Sequence, residues 1–197
     1  MKVNEIFYSL QGEGHFTGTP AVFVRLSGCN LRCDFCDTKH EPGDLMTEEM
    51  IVDEVCQYPS EHVVITGGEP LLQLTPSLVN KLHKKGKFVQ IETNGSIPLG
   101  KTPLLTDIDW ITCSPKYGNL PNIERIDELK VVYNLATLSD LAKMEAIEVP
   151  TGEYYLQPCD RQNEVVNEII TASCIKYILD NPKWKLSLQT HKILQLQ

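Results

Sequence analysis

Apolar and polar positions alternate along the chain in short blocks. Ala21-Val22-Phe23-Val24-Arg25-Leu26 is a compact β-rich run closed by polar, glycine-containing sequence. Comparable runs fall at 62–66, 87–92, 110–113, 128–133, 154–157 and 185–188, and each reads as a strand. Between them lie stretches of helical character. Thr47 is a good N-cap for a helix to about 58, with Glu48 and Glu49 in its first turn. A second helix is expected over 76–85, stopped by Gly86, and a third over 139–146. Residues 163–179 read as a long amphipathic helix.

Strands separated by helices imply an α/β fold with a parallel sheet. An eight-unit barrel takes about 250 residues, and the chain has 197. The expectation is therefore a small, incomplete (β/α) TIM-like barrel forming one domain over 1–197. Polar motifs follow several of the strands: Ser27-Gly28-Cys29, Thr66-Gly67-Gly68-Glu69-Pro70, Thr93-Asn94-Gly95, Ser114-Pro115-Lys116 and Gln157-Pro158. In a parallel sheet these strand ends share one edge, where such folds place their sites.

Composition narrows the function classes. The net charge is −8 and no Lys/Arg-rich run occurs, so a nucleic-acid surface is not expected. No apolar run approaches the roughly 20 residues of a membrane span, and the first residues lack a secretory h-region. A cytoplasmic protein is expected. Seven cysteines, an odd number, argue against a disulfide framework. Cys56 and Cys174 read as small buried hydrophobes.

Cys29, Cys33 and Cys36 stand apart, three thiols within eight residues at C-x3-C-x2-C spacing. Thiolates suit iron–sulfur clusters, zinc and copper(I). A structural zinc site closes with four ligands, and His40 is a candidate fourth, so the spacing alone leaves a zinc-stabilised binding module open. Three ligands to a four-iron cluster would leave one iron free for a small molecule.

The trio with aromatic Phe35, together with Gly67-Gly68-Glu69-Pro70, resembles the radical S-adenosylmethionine superfamily. Within it the chain resembles the 7-carboxy-7-deazaguanine synthase family along its whole length. The matching segments include Glu5 to Gly14, Phe23 to Leu31, Cys36-Asp37-Thr38, Glu92 to Gly95, Ser114 to Lys116, Leu156 to Pro158 and Leu188 to Lys192. The resemblance implies a lyase that abstracts hydrogen from C6 of 6-carboxy-5,6,7,8-tetrahydropterin and contracts the ring with loss of ammonia, on the pathway to queuosine, a tRNA modification.

It implies a four-iron, four-sulfur cluster on Cys29, Cys33 and Cys36, and magnesium at Thr38. It implies S-adenosylmethionine against Phe35, Cys36, Asp37, Gly68, Glu69, Gly95, Ser114, Pro115, Lys116 and Gln157. The pterin would meet Leu10, Gln11, Gly12, Glu13, Arg25, Thr93, His191 and the terminal carboxylate of Gln197. It also implies a homodimer served by an electron donor such as flavodoxin or ferredoxin. Read without the family, Thr38 is a helix N-cap, Arg25 a surface arginine, Gln11-Gly12 and Ser114-Pro115-Lys116 turns, and Glu69 a solvated acid. A glycyl-radical activating enzyme, which shares the cluster spacing, is the nearest enzyme alternative. The cluster loop has the short form, and the stretch from Asp37 to Thr47 leaves room only for a trimmed helix.

Overall fold

The computed structural model describes residues 1–98, 107–136 and 138–196. Its centre is one nine-stranded sheet in the order β3-β1-β2-β4-β5-β6-β7-β8-β9. The strands are β1 (Lys2–Leu10), β2 (Pro20–Leu26), β3 (Asp44–Leu45), β4 (His62–Gly67), β5 (Phe88–Thr93), β6 (Trp110–Cys113), β7 (Glu128–Tyr133), β8 (Glu153–Pro158) and β9 (Lys185–Leu186). Every pairing from β2 through β9 is parallel, while β1 and β3 add an antiparallel edge. Edge strands β3 and β9 do not pair, so the sheet is open, as the chain length suggested.

The helices are α1 (Glu48–Val55), α2 (Pro76–His83), α3 (Leu138–Glu145), α4 (Glu164–Asp180) and a short α5 (Thr190–Ile193). Thr47 caps α1 by accepting from the Met50 amide, but the helix stops at Val55, short of the expected 58. Helix α2 stops at His83, and Gly86 follows with φ +73°. Strand β1 went unread because its polar residues hide its period: only Val3 and Phe7 are buried. Among the described residues no helix follows the cysteine loop, and the chain runs straight to β3. No described helix is long and apolar enough to cross a membrane.

The two faces of the sheet differ because side chains alternate along each strand. On the outer face Val22, Val24, Leu26, Val63, Ile65, Val89 and Ile91 pack against Ile51 and Val55 of α1 and Leu78 and Leu82 of α2. A second outer cluster joins Leu129, Val131, Tyr154 and Leu156 to Leu141 of α3 and Ile170 of α4. Near β1 and β2 the inner face is apolar, with Phe7 and Phe23 stacked 4.9 Å apart beside Ala21 and Val64, and Phe16 packs on Phe88 and Trp110 at the other end of β5 and β6. Further round it turns polar. His62, Gln90, Thr112 and Glu128 join hands across four strands at 2.8, 3.1 and 3.3 Å.

Two expectations are corrected. Helix α4 is present but not amphipathic: its apolar residues run round the whole cylinder, so Ile170 and Cys174 are buried while Val165, Ile169 and Leu179 are exposed. Cys56 is exposed rather than buried, because α1 ends before it.

Candidate active site

A cavity of about 680 Å³ opens at the C-terminal edge of the parallel strands. The loop after β2 forms one wall. Gly28, at φ +88°, turns the chain out of the strand. Gly68 approaches so closely that a Cβ there would lie 1.9 Å from the Gly28 carbonyl, and the Glu69 amide donates to that carbonyl at 2.9 Å. The loop is braced from outside: Tyr117 Oη accepts from the Asp34 amide at 2.9 Å, and Arg161 pairs with Asp34 at 3.0 Å. Cys29, Cys33, Phe35, Cys36, Asp37 and Thr38 all line the cavity. Thr38 precedes no described helix and caps nothing.

Glu69 is fully buried and is not a solvated acid. It accepts from Thr93 Oγ1 at 2.7 Å, the Leu71 amide at 3.0 Å and the Asn94 amide at 2.8 Å. Burial pushes its carboxyl up, against those hydrogen bonds. It thereby fixes the turn that carries Thr93 into the cavity wall. Gly95 sits behind that turn at φ +73°, where a Cβ would fall 2.5 Å from Cys113 Sγ. Glu69, Gly95 and Pro115 support the wall rather than line it, whereas Gly68, Ser114 and Lys116 line it. Lys116 donates to Ser114 Oγ at 2.8 Å. Burial, and then the neighbouring Lys130, pull the Lys116 pKa down.

The opposite wall comes from β1, β2 and the loop after β1, including Leu10, Gln11, Gly12, Glu13 and Arg25. Arg25 is no loose surface side chain. Its Nε donates to Glu5 at 2.8 Å, and its guanidinium carbon lies 5.7 Å from the Phe7 ring centre. Gln11 donates to Glu92 at 2.9 Å. Glu13 meets Lys130 at 2.5 Å, Gln189 at 2.9 Å and Gln157 at 3.0 Å.

The C-terminal segment closes over this wall. The Thr190 amide and hydroxyl both donate to the Gly12 carbonyl, at 2.9 and 3.0 Å. A Cβ on Gly12 would lie 2.2 Å from His191 Nδ1. Lys192 bridges Asp37 and Asp160 at 3.0 Å each. Gln197 lies outside the described residues.

Comparison with known proteins turns this geometry into an assignment. The Radical SAM superfamily model matches residues 23–130. The 7-carboxy-7-deazaguanine synthase of Bacteroides thetaiotaomicron is 50% identical, over 100% of this chain and 98% of its own. The chain belongs to the 7-carboxy-7-deazaguanine synthase family. The synthase of Synechocystis is 39% identical over 98% of this chain and 91% of its own. The crystal structure of QueE from Escherichia coli superposes with a TM-score of 0.76 at 30% identity, covering 95% of this chain and 92% of that one.

Membership decides what the cysteine spacing left open: neither a zinc module nor an activating enzyme, but a radical SAM synthase with a four-iron, four-sulfur cluster and S-adenosylmethionine. The residues fit both groups. All three thiols are free and share one loop at the cavity. Thiolates are the soft donors that an iron–sulfur cluster takes.

Sequence reading named no role for Glu92, Lys130, Gln189 and Lys192, all of which line the cavity. The first two had a signal, since Glu92 and Lys130 are charged residues inside strands whose alternate positions are apolar. Gln189 and Lys192 lay inside the matching segment Leu188 to Lys192, which carried no role for them beyond that of His191.

Proposed function

We propose that the chain converts 6-carboxy-5,6,7,8-tetrahydropterin to 7-carboxy-7-deazaguanine and ammonia, as a carbon–nitrogen lyase. What supports this reading is one juxtaposition: Gln11, Glu13, Arg25 and Thr93 face the same cavity as the three thiols. The cluster and S-adenosylmethionine, when bound, supply the radical that takes hydrogen from C6. The protein's own residues do the rest. Cys29, Cys33 and Cys36 hold the cluster. Phe35, Cys36, Asp37, Gly68, Ser114, Lys116 and Gln157 flank the cofactor, with Glu69, Gly95 and Pro115 shaping its wall.

Arg25, its Nε steadied by Glu5, presents its guanidinium to the substrate carboxylate. Thr38 offers a hard oxygen to a magnesium ion beside that carboxylate. Leu10, Gln11, Gly12, Glu13 and Thr93 cradle the flat heterocycle. His191 closes the pocket from the tail and excludes water. A homodimer, a flavodoxin- or ferredoxin-type electron donor, a cytoplasmic setting and a place on the route to a modified tRNA base belong to the same reading.

The test is anaerobic. Cluster-reconstituted protein, with reductant, S-adenosylmethionine, magnesium and the carboxytetrahydropterin, should yield the deazaguanine acid by mass spectrometry. Iron-loaded protein that makes none of it would overturn the proposal. Omitting magnesium should lower turnover, and Thr38→Ala should weaken the response to added magnesium.

A further inference from the structure

Lys130 lies on the inner face of β7 with its side chain 4% exposed, at the floor of the cavity that it helps to line. Its Nζ is 2.5 Å from Glu13 Oε2 and 3.8 Å from Glu92 Oε1. A buried ammonium persists only with partners, and these partners are themselves tied to the pocket. Glu13 Oε1 accepts from Gln157 at 3.0 Å and from Gln189 at 2.9 Å. Glu92 Oε1 accepts the Gln11 amide at 2.9 Å, and Gln11 Oε1 accepts the Glu13 backbone amide at 3.1 Å. One ammonium thus stands between two acids that set the orientation of two pocket residues.

We propose that Lys130 is a positioning residue of the synthase: it holds Glu13 as a fixed carboxylate facing the pterin and, through Glu92, sets the amide of Gln11. The inference rests on the reading of Gln11 and Glu13 as pterin contacts. Lys130 itself touches the substrate nowhere in this scheme.

The charges around the pair support the assignment. Facing it are Glu92 from β5, Glu128 from β7, Lys116 after β6, Asp37 from the cysteine loop and His191 from α5. Burial works against ionisation of Glu13, but Lys130, with smaller help from Gln189 and His191, overrides it and holds the carboxyl at about 2. Burial pushes Glu128 up, and its Oε1 has no hydrogen-bond partner. Lys116 is not a substitute cation, because burial and Lys130 both pull its pKa down. With Lys130 removed, burial acts on Glu13 unopposed by its main counter-charge. Its pKa then rises, and the carboxyl picks up a proton as pH falls.

The test compares Lys130→Gln, Lys130→Arg, Glu13→Gln and the Glu13→Gln/Lys130→Gln double variant as iron-reconstituted full-length protein. The readouts are kcat and KM for the carboxytetrahydropterin between about pH 6 and pH 9. Lys130→Gln should raise KM by about tenfold or more, with a smaller change in kcat and iron content unaltered. Its kcat/KM should acquire an acid limb that the unmodified enzyme lacks, falling as pH drops. Lys130→Arg should recover most of the affinity. Glu13→Gln should lose affinity at every pH without a limb, and the double variant should be no worse than Glu13→Gln alone.

Lys130→Gln with KM within twofold, or without the limb, while Glu13→Gln loses affinity, would overturn the role of Lys130. Glu13→Gln with unchanged KM would instead overturn the pterin-contact reading. If Lys130→Gln fails to load iron, the double variant decides, since it removes both charges. A double variant far worse than Glu13→Gln would mean that Lys130 serves the fold alone.

Discussion

The two faces of β7 carry different kinds of residue within one six-residue strand. Leu129, Val131 and Tyr133 point outward into a core shared with α3 and α4. Glu128, Lys130 and Val132 point inward, and Lys130 sits at the floor of the cavity within reach of two carboxylates. The outer face stabilises by area removed from water, and any apolar residue of about the right volume would serve. The inner face stabilises little. Buried charges hardly repay their desolvation, and they matter because one missing partner leaves another exposed to a low dielectric. The same contrast runs across the sheet: Val24 and Leu26 against Arg25 on β2, Ile91 against Glu92 on β5, Leu156 against Gln157 on β8. The strands act as a partition, with fold on one side and chemistry on the other.

The partition predicts that function and stability separate on mutation. The largest effect belongs to the cluster loop, which contributes to none of the three core clusters. Cys33→Ala should abolish cluster loading and turnover while the apo-protein melts within a few degrees of the unmodified apo-protein. Iron analysis and calorimetry check both halves, and a collapsed fold would break the comparison. Leu129→Ala on the outer face should do the reverse. It should destabilise by about 2–5 kcal/mol in a denaturant titration and leave KM for the pterin unchanged in the protein that remains folded.

This partition also explains what was legible in the sequence. Outer-face residues announce themselves, because the helix and sheet periods are written in Val, Ile and Leu. The runs at 110–113 and 128–133 coincide with β6 and β7 residue for residue. The strand-end motifs could be placed on one edge from chain order alone, and the cavity gathers them there. Strand β1 was hidden because only Val3 and Phe7 are buried, and polar residues such as Asn4, Glu5 and Ser9 break its period. Helix α4 misled in the opposite sense: it is rich in apolar residues, but only Ile170 and Cys174 are buried. Lys130 and Glu92 were illegible as a pair, since the contact between β7 and β5 bridges residues 38 positions apart. Glu69 was recognised for its motif, but its three hydrogen bonds to the wall could not be read from spacing.

The tail tests the partition at its rim. Gly12 has an ordinary backbone, so Gly12→Ala carries no φ penalty, but its new methyl would meet His191 at Nδ1, Cγ and Cβ. The ring has to swing off the pocket. KM should rise by about tenfold with the melting temperature nearly constant. A fall in stability with unchanged KM would mean that the tail belongs to the fold rather than to the site.

The smallest effect is expected from a charge on the outer side. Glu48 accepts from Lys81 at 2.7 Å and from Ser77 and Thr75 at 2.6 Å each, tying α1 to α2. The Lys81 hydrogen bond, followed by those of Ser77 and Thr75, lowers its carboxyl pKa to about 2. An unfolded Glu titrates near about 4.3. A depressed folded pKa means that the stabilisation is fully present above the unfolded value and is lost as pH falls through the folded one. Glu48→Gln should therefore be less stable than the unmodified protein at neutral pH, by no more than about 1 kcal/mol for so solvent-accessible a pair. The gap should close between about pH 5 and pH 2. Denaturation curves at several pH values measure it, and kcat/KM should stay flat throughout the range where the enzyme is folded. A change in KM from this substitution would mean that the sheet transmits what the helices feel. In that case the two faces would not be as independent as the alternation of their residues makes them.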